Sequence, residues 1–156
     1  MDEEENLFPD DIDDLLDDEL EEDEEEIIGY KIAPYFDSKS GDFIINGSGQ
    51  IVDADEINAY IQWCENVIAT QRYVCDGYSD DIGIDYVSIF ASNDKDEIEV
   101  MLESEISEAL AVDPYGRTQY VQNVEFEWVG ADELNILVEV IAFDNELITI
   151  ETTITY

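Results

Sequence analysis

Apolar positions in this chain follow three successive patterns. From Ile27 to Val52 they are clustered and broken by Pro34, Gly41, Gly47 and Gly49. Phe43-Ile44-Ile45 and Gln50-Ile51-Val52 flank Asn46-Gly47-Ser48-Gly49, which supplies positive φ at low steric cost and predicts a short β hairpin. The period then becomes helical. Ile57, Tyr60, Ile61, Cys64, Val67 and Ile68 fall on one face through about residue 70, with Asp53 placed to cap and Glu56 in the capping-box position. Asp85 to Ala91 reads as a turn of helix. Ser92, Asn93 or Asp94 can cap a second long helix, whose stripe is Ile98, Met101, Leu102, Ile106, Ala109 and Leu110. Asp113-Pro114 ends it, because the residue before proline is disfavoured in the α region.

Beyond Pro114 the period falls to two. Val124, Phe126 and Trp128 alternate with Glu125 and Glu127, as in a half-buried strand. Gly130-Ala131-Asp132 turns, and Leu134 to Phe143 is apolar enough to predict a central strand with both faces covered. Asp144-Asn145 turns again before Leu147 to Tyr156, rich in β-branched residues. The expected fold is α+β: a short N-terminal β hairpin, two long helices and a C-terminal three-stranded antiparallel meander, preceded by an acidic tail.

Charge defines that tail. The 156 residues carry 43 acids against five bases, a net charge of −38, and no histidine. Residues 1–26 hold 17 of the acids and no base, leaving −21 for residues 27–156. So dense a like-charge block cannot bury enough apolar area to offset the entropy of ordering, so 1–26 is expected to be a flexible tail and 27–156 a single domain. Leu7, Phe8, Ile12, Leu15 and Leu16 interrupt the acids, and the last three share one side of a helix with Leu20, a stripe suited to docking on a partner. Such a chain repels phosphate backbones and anionic lipid, so protein partners are expected rather than nucleic acid or membrane. The acidic start is the reverse of a signal peptide and no apolar run is long enough to span a bilayer, which points to the cytoplasm. Cys64 and Cys75 have no metal-ligand spacing and read as reduced core or near-core residues.

Composition narrows the chemistry further. Without histidine there is no His-based acid–base pair or catalytic triad, and the common zinc ligand sets are missing. Asn46-Gly47-Ser48-Gly49 lacks the Lys-Ser/Thr of a phosphate loop, and no EF-hand spacing occurs, so no cofactor is expected. Asp80 or Asp81 with Asp85 is the nearest thing to a glycosidase pair, and 43 acids produce such pairs by chance.

The scarce cation Arg72 stands out, expected at the surface where the first long helix ends, with its charge complementing the helix dipole. It opens a polar, aromatic loop through Tyr73, Tyr78, Ser79 and Gly83, a candidate contact for protein partners. The last strand is a second candidate. A terminal strand with Leu147, Ile148, Ile150, Thr152, Ile154 and Tyr156 either embeds in its own sheet or offers an edge for another chain to pair with.

The order of these features resembles a known family. A short β segment precedes a helix ending Thr70-Gln71-Arg72-Tyr73; then come Tyr78-Ser79, Gly83, a helix carrying Glu105-Ile106 and Glu108-Ala109-Leu110, Asp113-Pro114, and a meander. This is similar to the baseplate wedge or sheath-initiator family of contractile phage tails, in the form found in phages and prophage-derived particles of Gram-positive bacteria. The likeness runs from about residue 27 to 156, and Leu7-Phe8-Pro9 also matches that form. Arg72 stands where other branches have a Glu-Pro-Arg-like or Gly-Glu-Arg-like motif, without the proline, and the family's Asp-Pro-Arg is interrupted because Tyr115 follows Pro114 and the nearest arginine is Arg117. The resemblance implies a structural protein, not an enzyme. It would be assembled in the host cytoplasm and built in multiple copies into a ring in the inner baseplate. Its neighbours would be wedge proteins at the Arg72 loop, tail tube or hub proteins, and sheath subunits pairing with its sheet. Two other classes compete: an acidic DNA mimic inhibiting a nucleic-acid-binding protein, which would need acids regularly spaced over a folded surface, and a carboxylate-dependent muramidase.

Overall fold

A computed structural model describes residues 29–38, 40–74 and 76–155. Four two-residue strands come first: β1 (Ala33–Pro34), β2 (Phe36–Asp37), β3 (Asp42–Phe43) and β4 (Asp53–Ala54). β1 pairs with β4 and β2 with β3, both antiparallel, and an Ile45↔Ile51 bridge closes the hairpin expected around Asn46. Asn46 builds that turn: its amide N donates to the Gln50 carbonyl at 2.8 Å and its side-chain oxygen accepts from the Ser48 and Gln50 amides. Gly49, at φ +79°, takes the left-handed position a side chain would resist.

Helix α1 (Glu56–Ala69) follows. Its cap is Asp55, whose carboxylate accepts from the Asn58 amide at 2.9 Å; Asp53, the expected cap, lies in β4 instead. The helix starts two residues later than a cap at Asp53 implies because β1 holds Asp53 and Ala54 extended. Tyr60, Cys64, Val67 and Ile68 are buried as expected, whereas Ile57 on the first turn is exposed. A single turn, α2 (Tyr86–Ile89), leads to α3 (Lys95–Ala111), capped by Asp94 and burying Ile98, Leu102, Ile106, Ala109 and Leu110.

The meander is long, with register shifts only near the start of β5. β5 (Thr118–Trp128), β6 (Glu133–Ala142) and β7 (Leu147–Thr155) form one antiparallel sheet with β6 in the centre, Val138 facing both Val124 and Ile150. On β6, Leu134, Ile136, Val138, Val140 and Ala142 are fully buried, and with Ile148, Ile150 and Ile154 of β7 they meet α1 and α3 in one core. Each such aliphatic side chain contributes roughly 1.5–3 kcal/mol when fully buried. The opposite face of β6 departs from the expectation of two covered faces: Asn135, Leu137, Glu139 and Ile141 are only half-buried, since the helices lie on one side. Apolar Leu137 and Ile141 had masked the alternation.

Candidate functional site

Past the Thr70 cap the backbone doubles back. Gln71 forms a parallel bridge with Ile84, the Ile84 amide donates to the Thr70 carbonyl and the Arg72 amide to the Ile84 carbonyl, both at 2.9 Å. Gly83 makes this crossing possible: at φ +94°, a Cβ there would stand 2.7 Å from the Thr70 oxygen. The Arg72 side chain is turned inward, which corrects its expected surface position. Its Nε donates to the Gly83 carbonyl at 2.9 Å, its Nη1 lies 3.1 Å from Glu105 Oε2 on α3, and only 9% of the residue is exposed. A dipole role at a helix end is thus replaced by a clip between the loop and α3. Glu105, although quoted in the sequence, gave no sign of this pairing because nothing local fixes which acid meets a buried cation.

With both ends of the loop pinned, its middle projects. Tyr73 is 66% exposed, and Val74 and Tyr78 are exposed beside it. Tyr73 holds φ +68°, a left-handed conformation costly for an aromatic residue. Ser79 Oγ bonds Asp81 Oδ2 at 3.2 Å. The Gln71 amide group donates to the Arg72 carbonyl and to Asp85, which also caps α2. Hydrogen bonding from Ser88 holds the Asp85 carboxyl below its ordinary range, opposite to what a glycosidase general acid requires. Behind the loop Tyr86 donates its hydroxyl to the Ile68 carbonyl, and burial pushes its pKa up.

The second arginine, Arg117, is the nearest arginine to the interrupted Asp-Pro-Arg in the sequence, where nothing assigns it a partner. Arg117 grips Asp113 in a buried fork, Nε to Oδ2 at 2.9 Å and Nη2 to Oδ1 at 2.7 Å, while its own amide also donates to Oδ2. Its guanidinium carbon lies 4.9 Å from the Tyr60 ring centre and close to the Trp63 and Tyr115 rings. The interrupted Asp-Pro-Arg is therefore closed in space by an arginine three residues past the proline, the intervening turn being fixed by Gly116 at φ +59°. Burial raises the neighbouring Cys64 thiol to about 12, so it stays protonated and unreactive. Cys75 lies outside the described residues.

β7 is an edge strand: among the described residues it pairs with β6 alone. The hydrogen bond from the Ala142 amide to the Glu146 carbonyl sets the phase of the ladder. Alternation from there turns the backbone N–H and C=O of Thr149, Glu151 and Thr153 away from β6. Of the expected pairing residues, Ile148, Ile150 and Ile154 point into the core and Thr152 is half-buried. What β7 offers outward is backbone, together with Leu147, Thr149, Glu151 and Thr153. A row of side chains, Glu127 to Asn135 to Thr153, is hydrogen-bonded across the outer face. A groove of about 480 Å³ beside the end of the strand is lined by Thr153, Ile154 and Thr155 with Tyr86, Val87 and Phe90. Tyr156 and the tail residues Leu7, Phe8, Ile12, Leu15 and Leu16 lie outside the described residues.

Among the described residues no three His, Cys, Asp or Glu side chains are grouped to hold a metal, and no helix is long and apolar enough to cross a membrane. No curated protein sequence matches the chain. A family model does: the contractile injection system sheath initiator, over residues 34–145, which takes in the hairpin, all three helices, the Arg72 loop, the Asp113–Arg117 fork and the first two strands of the meander. The chain belongs to the sheath initiator family and is a structural component of a contractile injection system.

Proposed function

We propose that the protein sits in the inner baseplate and starts sheath assembly by lending the free edge of β7 to a strand of the first sheath subunit. The observation that carries this reading is a nine-residue strand, paired on one side only, whose outward backbone groups are left without a partner strand among the described residues. An unpaired edge of that length is a template that a soluble protein ordinarily blunts with charged side chains, proline or a bulge; β7 has neither proline nor bulge and a single charge, Glu151. Addition of a strand satisfies those groups through main-chain bonds, with side-chain fit supplying specificity. The family match ends at residue 145, before β7, so the role of this strand rests on its geometry.

Other contacts complete the assembly. The Tyr73–Tyr78 projection, held by the Arg72 clip, contacts wedge proteins, and residues 1–26 dock a basic surface of a wedge, tube or hub protein through their apolar stripe. Copies are arranged as a ring around the tube, assembled in the host cytoplasm and retained in the finished particle. Charge supports this division, since an acidic chain meets basic partners most readily.

Removing β7 would also remove Ile148, Ile150 and Ile154 from the core, so the edge is better tested by Thr149→Pro with Thr153→Pro. Proline at these positions deletes outward N–H groups and spares the bonds to β6. Electron microscopy of particles carrying the double variant should show tubes and baseplates without polymerised sheath. Normally sheathed tails, with the variant present in them, would overturn the reading.

A further inference from the structure

The hairpin carries a surface that the strand-pairing role does not use. Phe43 to Val52 is the longest stretch of the chain without a charged residue, in a sequence where 31% of residues are charged. The next longest neutral runs, Ile57–Cys64 and Tyr86–Asn93, place Tyr60, Cys64 and Ile89 in the core, but here the apolar side chains face outward. Ile45 is 58% exposed and Ile51 53%, with Phe43, Ile44 and the adjoining Ile32 exposed as well. A soluble chain seldom leaves so many large aliphatic groups together unless something covers them.

The hairpin is also held in place rather than loosely attached. Gln62 of α1 accepts from the Phe36 amide at 2.8 Å and donates to the Pro34 carbonyl at 3.1 Å, and Phe36 packs edge-on against Phe43. Tyr35 ties both halves together, its amide donating to Val52 and its carbonyl accepting from Ile44. The apolar tip is therefore presented in a fixed shape, which lowers the entropy lost when it is bound.

Charge in the segment that bears the hairpin indicates its occupant. From Tyr30 to Glu56 there are five acids, Asp37, Asp42, Asp53, Asp55 and Glu56, against two lysines. Those residues leave the segment at a net −3, so a basic surface fits beside it better than an acidic one. A second copy of this chain would bring the same acids and another −38 charges to the contact. We infer that the 43–52 hairpin inserts into an apolar cleft rimmed by Lys or Arg on a different structural protein of the particle, and so anchors the sheath initiator independently of β7.

The test uses the full chain inside assembled particles. With p-benzoylphenylalanine at position 45, irradiation should join the hairpin to an apolar peptide flanked by basic residues in another particle protein, identified by mass spectrometry. In parallel, Ile45→Ser with Ile51→Ser should lower the copies retained per baseplate by about tenfold, as truncation of a central apolar anchor does. Its circular dichroism and unfolding midpoint should stay unchanged. Cross-links to a second copy, cross-links to residues 1–28 of the same chain, no cross-link at all, or full retention of the double variant would each overturn the inference. Thr149→Pro with Thr153→Pro separates the two readings: it should be retained in baseplates at the normal level yet leave them without sheath.

Discussion

The two β regions of this protein use the same residue types to opposite ends. In the meander the strands are nine to eleven residues long, β6 and β7 pair in continuous register while β5 shifts register between Thr118 and Asn123, and Ile, Val and Leu on one face are sealed by α1 and α3. In the N-terminal hairpin the strands are two residues long, and the isoleucines face outward. A β-branched residue thus does not declare whether it belongs to a core or to a contact; what decides is whether the chain supplies a helix to lie over it. The meander has two helices for one face, and its other face keeps Glu125, Glu127 and Glu151 in water. Among the described residues, the hairpin is backed by Gln62 and the first turns of α1.

If the meander carries stability and the hairpin carries binding, the largest effect should come from the fork that joins α3 to the sheet. Arg117→Ala leaves Asp113 buried and anionic, removes the guanidinium from among Tyr60, Trp63 and Tyr115, and loosens the start of β5 where the Arg117 carbonyl accepts from the Phe143 amide. Breaking one side of a buried pair costs about 3–5 kcal/mol. Denaturant unfolding of the full chain should show that loss. A change below about 1 kcal/mol would mean that the pair is solvated and the meander is held by apolar packing alone.

An intermediate effect is expected at Arg72, which lies between the two regions. Its clip bonds the Gly83 carbonyl and meets Glu105 in an ion pair that lacks full hydrogen-bond alignment, so Arg72→Ala should cost about 1–3 kcal/mol. The loop from Tyr73 to Ile82 should become the first site of limited proteolysis. Arg72→Lys, which keeps the charge but loses the planar fork, should fall in between. Unchanged protease resistance in Arg72→Ala would show that Gly83 and the Gln71–Ile84 bridge hold the loop by themselves.

Where the chain repeats a period, its sequence was a good guide. Both long helices and all three meander strands appear within a few residues of their expected positions, because Ile98, Leu102 and Ile106, or Val124, Phe126 and Trp128, carry an unambiguous spacing. The helix cap lies at Asp55 rather than Asp53 because either aspartate can cap, and pairing of Asp53 with Pro34 in β1 chooses between them. Arg72 was recognised as unusual, yet its partners Gly83 and Glu105 lie 11 and 33 positions away, beyond any local pattern. Arg117 is visible as the nearest arginine to the broken Asp-Pro-Arg, but its pairing is not, since Pro114 and Gly116 hide the turn that brings it back onto Asp113. The exposure of the hairpin was invisible for a related reason: whether Ile45 and Ile51 are covered depends on elements elsewhere in the chain.

The smallest effect on folding should be found at the hairpin tip, and this is where the comparison is most exposed to failure. Ile45 and Ile51 bridge each other through backbone, and their side chains already meet water, so Ile45→Ser with Ile51→Ser removes little buried area. A stability change within about 0.5 kcal/mol is expected, as for surface positions generally, with the denaturant slope unchanged because the area released on unfolding is nearly the same. A loss above about 1.5 kcal/mol, or a lower slope, would mean that these isoleucines are packed in solution. The hairpin would then be a second piece of core, and its neutral run would need no partner. A neutral result on folding combined with failure to stay in the baseplate separates binding from stability within one pair of side chains.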